Sequence, residues 1–146
     1  MTISIDTNVI AALWDDDHPS NAAAAQVLGN LIAREQLVVS GPVYAELMAG
    51  PLRDEASLDH FFDDTGIQID WAMNEKIWRE AGHTYLAYVQ RRRQSGGGDA
   101  RGILTDFLIG AHALVIYING IDVHIAATLQ VHHPLGCFHQ GNAVYY

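Results

Sequence analysis

The stretch SIDTNVI (residues 4–10) places one acid, Asp6, among residues that are typical of a buried strand. The β-branched residues around it predict a strand over residues 3–10, and Asn8 favours a turn out of it. Asp6 is then expected near the carboxyl end of a strand, where ligand sites of open α/β sheets lie. Because an idle charge is costly among apolar residues, this position points to a role for the acid.

The composition fits one compact domain. The chain has 146 residues, of which 49% are hydrophobic, and this is enough to bury a core. A single cysteine and the lack of a signal-peptide pattern lead us to expect a reduced, cytoplasmic protein. No apolar run approaches the roughly 20 residues of a membrane span, so no membrane contact is expected. The net charge of -9 argues against a large basic surface but is compatible with carboxylates clustered at a metal site.

Strand and helix patterns alternate along the chain. Two further strands are predicted, QLVVS (residues 36–40) and GIQID (residues 66–70). Helices are predicted over five segments: residues 15–35, 41–50, 57–64, 71–93 and 103–115. This order implies an α/β fold whose parallel sheet is covered on both sides.

The end of the chain differs in composition from the rest. Within residues 115–146, Asp122 is the only Asp, Glu, Lys or Arg, whereas four of the eight histidines fall there. VIYI (residues 115–118) and DVHIAATLQV (residues 122–131) could supply strands, but proline and glycine residues favour an irregular end. We expect a single domain over residues 1–146 with an atypical C-terminal segment.

Three acids that are distant in the sequence are candidates for one site. Asp6 follows the first strand, Glu46 lies early in the helix after the second strand, and Asp106 lies early in the last helix. Such positions can converge at the carboxyl edge of a sheet. Like charges there repel unless a divalent cation neutralises them, and oxygen ligands suit Mg²⁺ or Mn²⁺. The ion could activate a water for attack on a phosphodiester. Each acid taken singly could instead be a turn or capping residue.

Three stretches of the chain together resemble the PIN-domain ribonucleases, and within them the VapC toxins of type II toxin-antitoxin pairs. The resemblance is carried by ISIDTNVIAAL, VVSGPVYAELMAG and RGILTDFLIGAHAL (residues 3–13, 38–50 and 101–114). It implies that Asp6, Glu46 and Asp106 are both catalytic residues and metal ligands. It also implies that the Thr7 hydroxyl supports the first acid.

The resemblance further implies a three-layer α/β/α PIN-like fold with a central, mainly parallel sheet. The implied activity is that of an Mg²⁺- or Mn²⁺-dependent endoribonuclease toxin that acts on RNA. The implied partners are a second copy of the chain and a VapB-like antitoxin. The match fails at the end of the chain, where His124 stands in place of the family's fourth acid. Asp122, two residues earlier, is the candidate metal ligand instead.

Two alternatives concern the function as a whole. The altered C-terminal segment could have cost a PIN-like module its catalysis, leaving a protein that binds an antitoxin or RNA. A phosphatase-like enzyme with Asp6 as the nucleophile would usually need a second acid two residues later, where this chain has Asn8.

Arginine and tryptophan side chains are the candidates for contacts with RNA. Arg93 and Arg101 flank a glycine-rich loop and could hold an RNA backbone, or they could simply be solvated. Trp14, Trp71 and Trp78 could stack on bases, or they could belong to the core or to an interface.

Overall fold

The fold is built from six helices and four strands within the residues that the computed structural model describes, which are 2–51, 53–96, 104–118 and 123–126. In chain order the elements are β1 (Thr2–Ile5), α1 (Thr7–Trp14), α2 (Asn21–Ile32), β2 (Gln36–Ser40), α3 (Gly41–Met48), α4 (Glu55–Thr65), β3 (Gln68–Asp70), α5 (Glu75–Gln94), α6 (Leu104–Ile118) and β4 (Val123–Ala126). No described helix has both the length and the apolar character that a membrane span requires.

The four strands form one parallel sheet in the order β3-β2-β1-β4. Ile3 and Ile5 point to one face of β1, and both are buried in the main core. Ser4, which points to the opposite face because side chains alternate along a strand, is buried as well. Both faces are therefore covered, and the predicted α/β fold with a parallel central sheet is confirmed.

The strand predicted over residues 3–10 is wrong in its second half. β1 ends at Ile5, and Asp6 is the N-cap residue of helix α1, with an extended backbone (φ -83°, ψ 153°). Val9 and Ile10 are buried from this helix rather than from a strand. Their β-branched side chains favour strands, but burial against the core outweighs that weak preference.

The helix predicted over residues 15–35 is shorter than expected, since α2 spans only Asn21–Ile32. Its first residue explains the start, because the Asn21 side-chain amide donates hydrogen bonds to the carbonyl oxygens of Ala12 (3.1 Å) and Leu13 (2.9 Å). These bonds join α2 to the end of α1. Ile32 was expected on the apolar stripe of this helix, yet it is 40% exposed.

The remaining predictions hold with adjusted ends. β3 begins at Gln68, since Gly66 adopts the left-handed conformation (φ 68°) that ends α4. Helix α5 begins only at Glu75, because the Asn74 side chain caps it by accepting a hydrogen bond from the Ile77 amide.

The end of the last long helix also differs from the prediction. VIYI (residues 115–118) is not a strand, because helix α6 continues to Ile118. β4 lies within the segment predicted as a strand over residues 122–131. The other residues of that segment lie outside the described part of the chain.

Two apolar clusters hold the layers together. The larger joins the strands to α1–α4, and its buried members are Ile3, Ile5, Val9, Ile10, Leu28, Leu37, Val39, Val43, Leu47, Leu58, Phe62, Ile67 and Ile109. The smaller joins α5 to α6 and contains Ile77, Ala81, Tyr88, Phe107, Leu108, Ala111 and Val115. Since α6 contributes to both clusters, it is fixed to the sheet and to α5 at once.

Adjacent residues on α3 provide a matched test of this packing. Leu47 is 1% exposed and Met48 is 36% exposed. Leu47→Ala should lower the free energy of unfolding by about 2–5 kcal/mol, because it removes buried methyl groups and leaves a cavity. Met48→Ala should change it by less than about 0.5 kcal/mol. Urea unfolding of both variants measures the difference, and equal losses would contradict the orientation of α3.

Candidate functional site

The candidate site lies at the carboxyl edge of the sheet. Parallel pairing places Ser40 opposite Asp70 and Ser4 opposite Val38. If the pairing of Ser4 with Val38 is extended by two residues along both chains, Asp6 lies opposite Ser40. Ser40 and Asp70 end β2 and β3, and Asp6 directly follows the last residue of β1. The three residues thus lie in one row, with strands about 4.8 Å apart.

Thr7, the residue after Asp6, is hydrogen-bonded to Glu46. The Thr7 hydroxyl donates a 2.5 Å hydrogen bond to Oε2 of Glu46, which projects from α3. Both side chains are half-buried. The resemblance led us to expect this hydroxyl beside the first acid, Asp6, whereas the hydrogen bond is made with the second acid. It fixes one carboxylate oxygen of Glu46 relative to the start of α1.

The pKa of the Glu46 carboxyl is affected by the charges of the other two predicted acids. Burial raises the pKa of the Glu46 carboxyl above its ordinary value, and the hydrogen bond from Thr7 opposes that rise. The negative charges of Asp106 and then of Asp6 raise this pKa further, while a hydrogen bond from Thr105 lowers it. The net result is a raised pKa. The fold therefore brings Asp6, Glu46 and Asp106 within electrostatic reach of one another.

The chemistry of this donor set suits a hard divalent cation, which prefers carboxylate oxygens and would relieve their repulsion. The side chains as they stand do not form a closed cage. Among the described residues, no three Asp, Glu, His or Cys side chains are placed so that they could hold a metal ion together. The three acids would have to draw closer around an ion.

The remaining predicted site residues are Arg93, Arg101 and Asp122. Arg93 is exposed in the last turn of α5, beside Arg91 and Arg92. Asp122 and Arg101 lie outside the described part of the chain. The roles of these residues therefore stay predictions.

Sequence reasoning missed a buried polar pair near the same edge. His112, on α6, is fully buried, and its Nε2 lies 3.0 Å from Oδ2 of Asp70. Within the described part of the chain, His112 Nδ1 and the buried Ser40 hydroxyl have no hydrogen-bond partner. The signal for Asp70 and Ser40 was available, because a polar residue stands at the end of each of these predicted strands. The pairing with His112 spans 42 positions, and no local pattern reveals it.

Comparisons with known proteins agree with this fold. The PIN domain family model matches residues 3–133. The chain is similar to the 2.2 Å structure of VapBC-1 from nontypeable Haemophilus influenzae, with 22% identity, a TM-score of 0.57, and coverage of 90% of this chain and 88% of that chain. It is also similar to VapBC2 from Rickettsia felis bound to a DNA fragment from their promoter, with 21% identity, a TM-score of 0.56 and 88% coverage of each chain. No curated protein matches the sequence.

The solved structures show that the fold is similar, and the match to the family model shows membership of the family. PIN domains are typically nucleases, and they generally use divalent metal ions. The matched residues include Asp6, Glu46 and Asp106 and all the described strands except the first residue of β1. The chain therefore belongs to the PIN domain family.

Proposed function

We propose that this protein is a metal-dependent endoribonuclease that acts as the toxin of a toxin-antitoxin pair. The observation that carries the proposal is that Asp106 and Asp6 lie near enough to Glu46 for their charges to add to the rise that burial causes in the pKa of its carboxyl. Membership of the PIN domain family supports nuclease chemistry. Restriction to RNA and dependence on Mg²⁺ or Mn²⁺ are parts of the proposal.

Each acid has a definable task in this scheme. The carboxylates of Asp6, Glu46 and Asp106 would hold Mg²⁺ or Mn²⁺, with Asp122 proposed as a fourth ligand. When bound, the ion would supply Lewis acidity, which lowers the pKa of water and neutralises charge on a phosphate. Thr7 orients the Glu46 carboxylate by holding Oε2. The other oxygen, Oε1, is then the atom of Glu46 that is free of the Thr7 bond and could face the ion.

RNA is the proposed substrate, with arginines holding its backbone. Arg93 lies at the exposed end of α5, and Arg101 is its proposed companion across the glycine-rich loop. Arginine is a common donor to phosphate oxygens. Because the whole chain has a net charge of -9, such contacts must be local.

A VapB-like antitoxin and a second copy of the chain are the proposed protein partners. Both similar structures are VapBC complexes, which supports an antitoxin here. Ile32 on α2 and Met48 on α3 expose apolar side chains that could contact an amphipathic partner helix. The segment around Phe61 and Phe62 was also a sequence candidate for this surface, but Phe62 is buried in the core. Homodimer formation rests on the resemblance of the sequence.

The alternative is a PIN-like module that binds an antitoxin or RNA but cleaves poorly. Two observations favour it: the acids are not yet placed to hold an ion together, and His124 occupies the position of the family's fourth acid. Cleavage assays in excess Mn²⁺ distinguish the two functions, because a site that is only weakened in metal affinity would regain activity.

Neutralising any of the three acids should abolish cleavage. Asp6→Asn, Glu46→Gln and Asp106→Asn should each lower the rate at least about 100-fold, since even outer partners of metal ligands cost 10- to 100-fold. The measurement is cleavage of a labelled single-stranded RNA with Mg²⁺ or Mn²⁺. Asp63→Asn, an exposed acid of α4, is the control and should cleave normally. Full activity of Asp6→Asn would contradict the proposal.

A divalent ion should stabilise the fold through the same acids. Because the ion binds only the folded site, it should add about 2.7 kcal/mol to the free energy of unfolding at about 100 times its Kd. Thermal unfolding with and without Mn²⁺ measures this gain. Glu46→Gln should lose most of it, whereas Asp63→Asn should keep it. An equal gain in both variants would place the ion elsewhere.

The raised pKa of Glu46 also predicts a dependence of stability on pH in a metal-chelating buffer. Between the ordinary glutamate pKa and the raised one, the folded state binds more protons than the unfolded state. The stability from this proton is present at low pH and is lost as pH rises through that window. Urea unfolding over a pH series should show a shallower decline for Glu46→Gln than for the wild type. Parallel curves would contradict the raised pKa.

A further inference from the structure

We infer that Trp71 forms a base-stacking platform for RNA beside the candidate nuclease site. The inference rests on the proposed function and adds a subsite to it, a place where an unpaired base lies against an aromatic ring. Trp71 follows β3 directly and is 62% exposed, the largest exposed fraction of any large apolar side chain among the described residues.

The backbone at Trp71 is held on both sides. Oδ1 of Asp70 accepts a 2.8 Å hydrogen bond from the Ala72 amide, and the Trp71 carbonyl accepts a 3.0 Å bond from the Met73 amide. The other carboxylate oxygen of Asp70 contacts buried His112. The position of the exposed ring is therefore set by the sheet and by α6.

Part of the ring packs against α3, and this fixes its orientation. The Tyr44 ring meets it edge to face, with centroids 5.0 Å apart and planes at 64°. The ring also lies beside Gly41, where an added Cβ would be 3.5 Å from Trp71 Cε3. Tyr44 is itself anchored, since its hydroxyl donates a 2.9 Å hydrogen bond to Asp59. A fixed aromatic surface loses little conformational freedom when a base stacks on it.

The platform lies on the same edge of the sheet as the acids. Trp71 comes one residue after Asp70, which ends the strand two places from the strand that leads into Asp6. Two strand spacings correspond to about 10 Å. A base on Trp71 would thus belong to a nucleotide near the phosphate at the acids.

The other two tryptophans differ from Trp71 in their surroundings. Trp14 is half-buried, with the Arg53 guanidinium 4.1 Å from its ring centroid and Phe61 packed edge to face. Trp78 is 51% exposed, but it projects from α5, where its indole N–H donates to the Met73 carbonyl. Trp78 is therefore the matched control: an exposed tryptophan that contacts the segment after β3 but is carried by helix α5.

Binding of RNA to inactive protein tests the inference. In Asp6→Asn protein, Trp71→Ala should weaken binding of a fluorescein-labelled oligoadenylate roughly 5- to 150-fold, the range for losing one stacked base. Trp71→Phe should recover part of the affinity, and Trp78→Ala should leave it unchanged. Equal losses from Trp71→Ala and Trp78→Ala, or no loss from Trp71→Ala, would overturn the inference.

An abasic ligand separates stacking from indirect effects. On a ribose-phosphate chain without bases, Trp71→Ala should cost nothing, because the ring has no base to stack on. An equal loss on both ligands would show that the substitution disturbs the fold or the backbone contacts, and it would overturn the inference. A loss of protein-partner binding without a loss of RNA binding would do the same. The proposed function fails separately, if protein with all three acids intact does not cleave RNA.

Discussion

Mutual repulsion among carboxylates at one edge of a parallel sheet is the constraint on which the site depends. Asp6, Glu46 and Asp106 are far apart in the sequence, but parallel strands deliver their carboxyl ends to the same edge. Burial is the largest cause of the raised pKa of the Glu46 carboxyl, and the negative charges of Asp106 and Asp6 add to it. The Thr7 hydrogen bond opposes this rise, but the net shift is still upward. A divalent cation would favour the charged carboxylate.

The packing around the acids prevents them from moving apart to relieve that repulsion. Asp106 is followed on α6 by three buried apolar residues (107–109), which anchor the helix in both clusters. Glu46 is followed by the buried Leu47, and Asp6 by the first turn of α1. Separating the charges would expose this core, at about 25 cal/mol for each Å² of apolar surface. The hydrophobic core thus sustains an arrangement that electrostatics alone would disperse.

Local patterns were sufficient to predict the first three strands of the parallel sheet, because strands depend on short-range patterns of apolar residues. The role of the three acids stays a prediction. Local patterns failed at α1, where Val9 and Ile10 carry strand-favouring side chains that tertiary burial places in a helix. They failed also for Asp70 and His112, which approach only when α6 packs on the sheet. The predicted helix boundaries were less accurate, because a boundary such as the N-terminus of α5 depends on capping by a single side chain.

The charge of the molecule limits how it could hold a nucleic acid. With a net charge of -9, the protein as a whole repels a polyanion, and broad counterion release cannot supply the affinity. Two kinds of contact escape this limit. A divalent ion converts the acidic edge from a repulsive surface into an attractive one, and stacking on Trp71 requires no charge at all. The part of the affinity that stacking supplies would depend little on salt, and it would favour unpaired bases over the closed surface of a duplex. The same edge of the sheet would then determine both where RNA is cut and which form of RNA can enter.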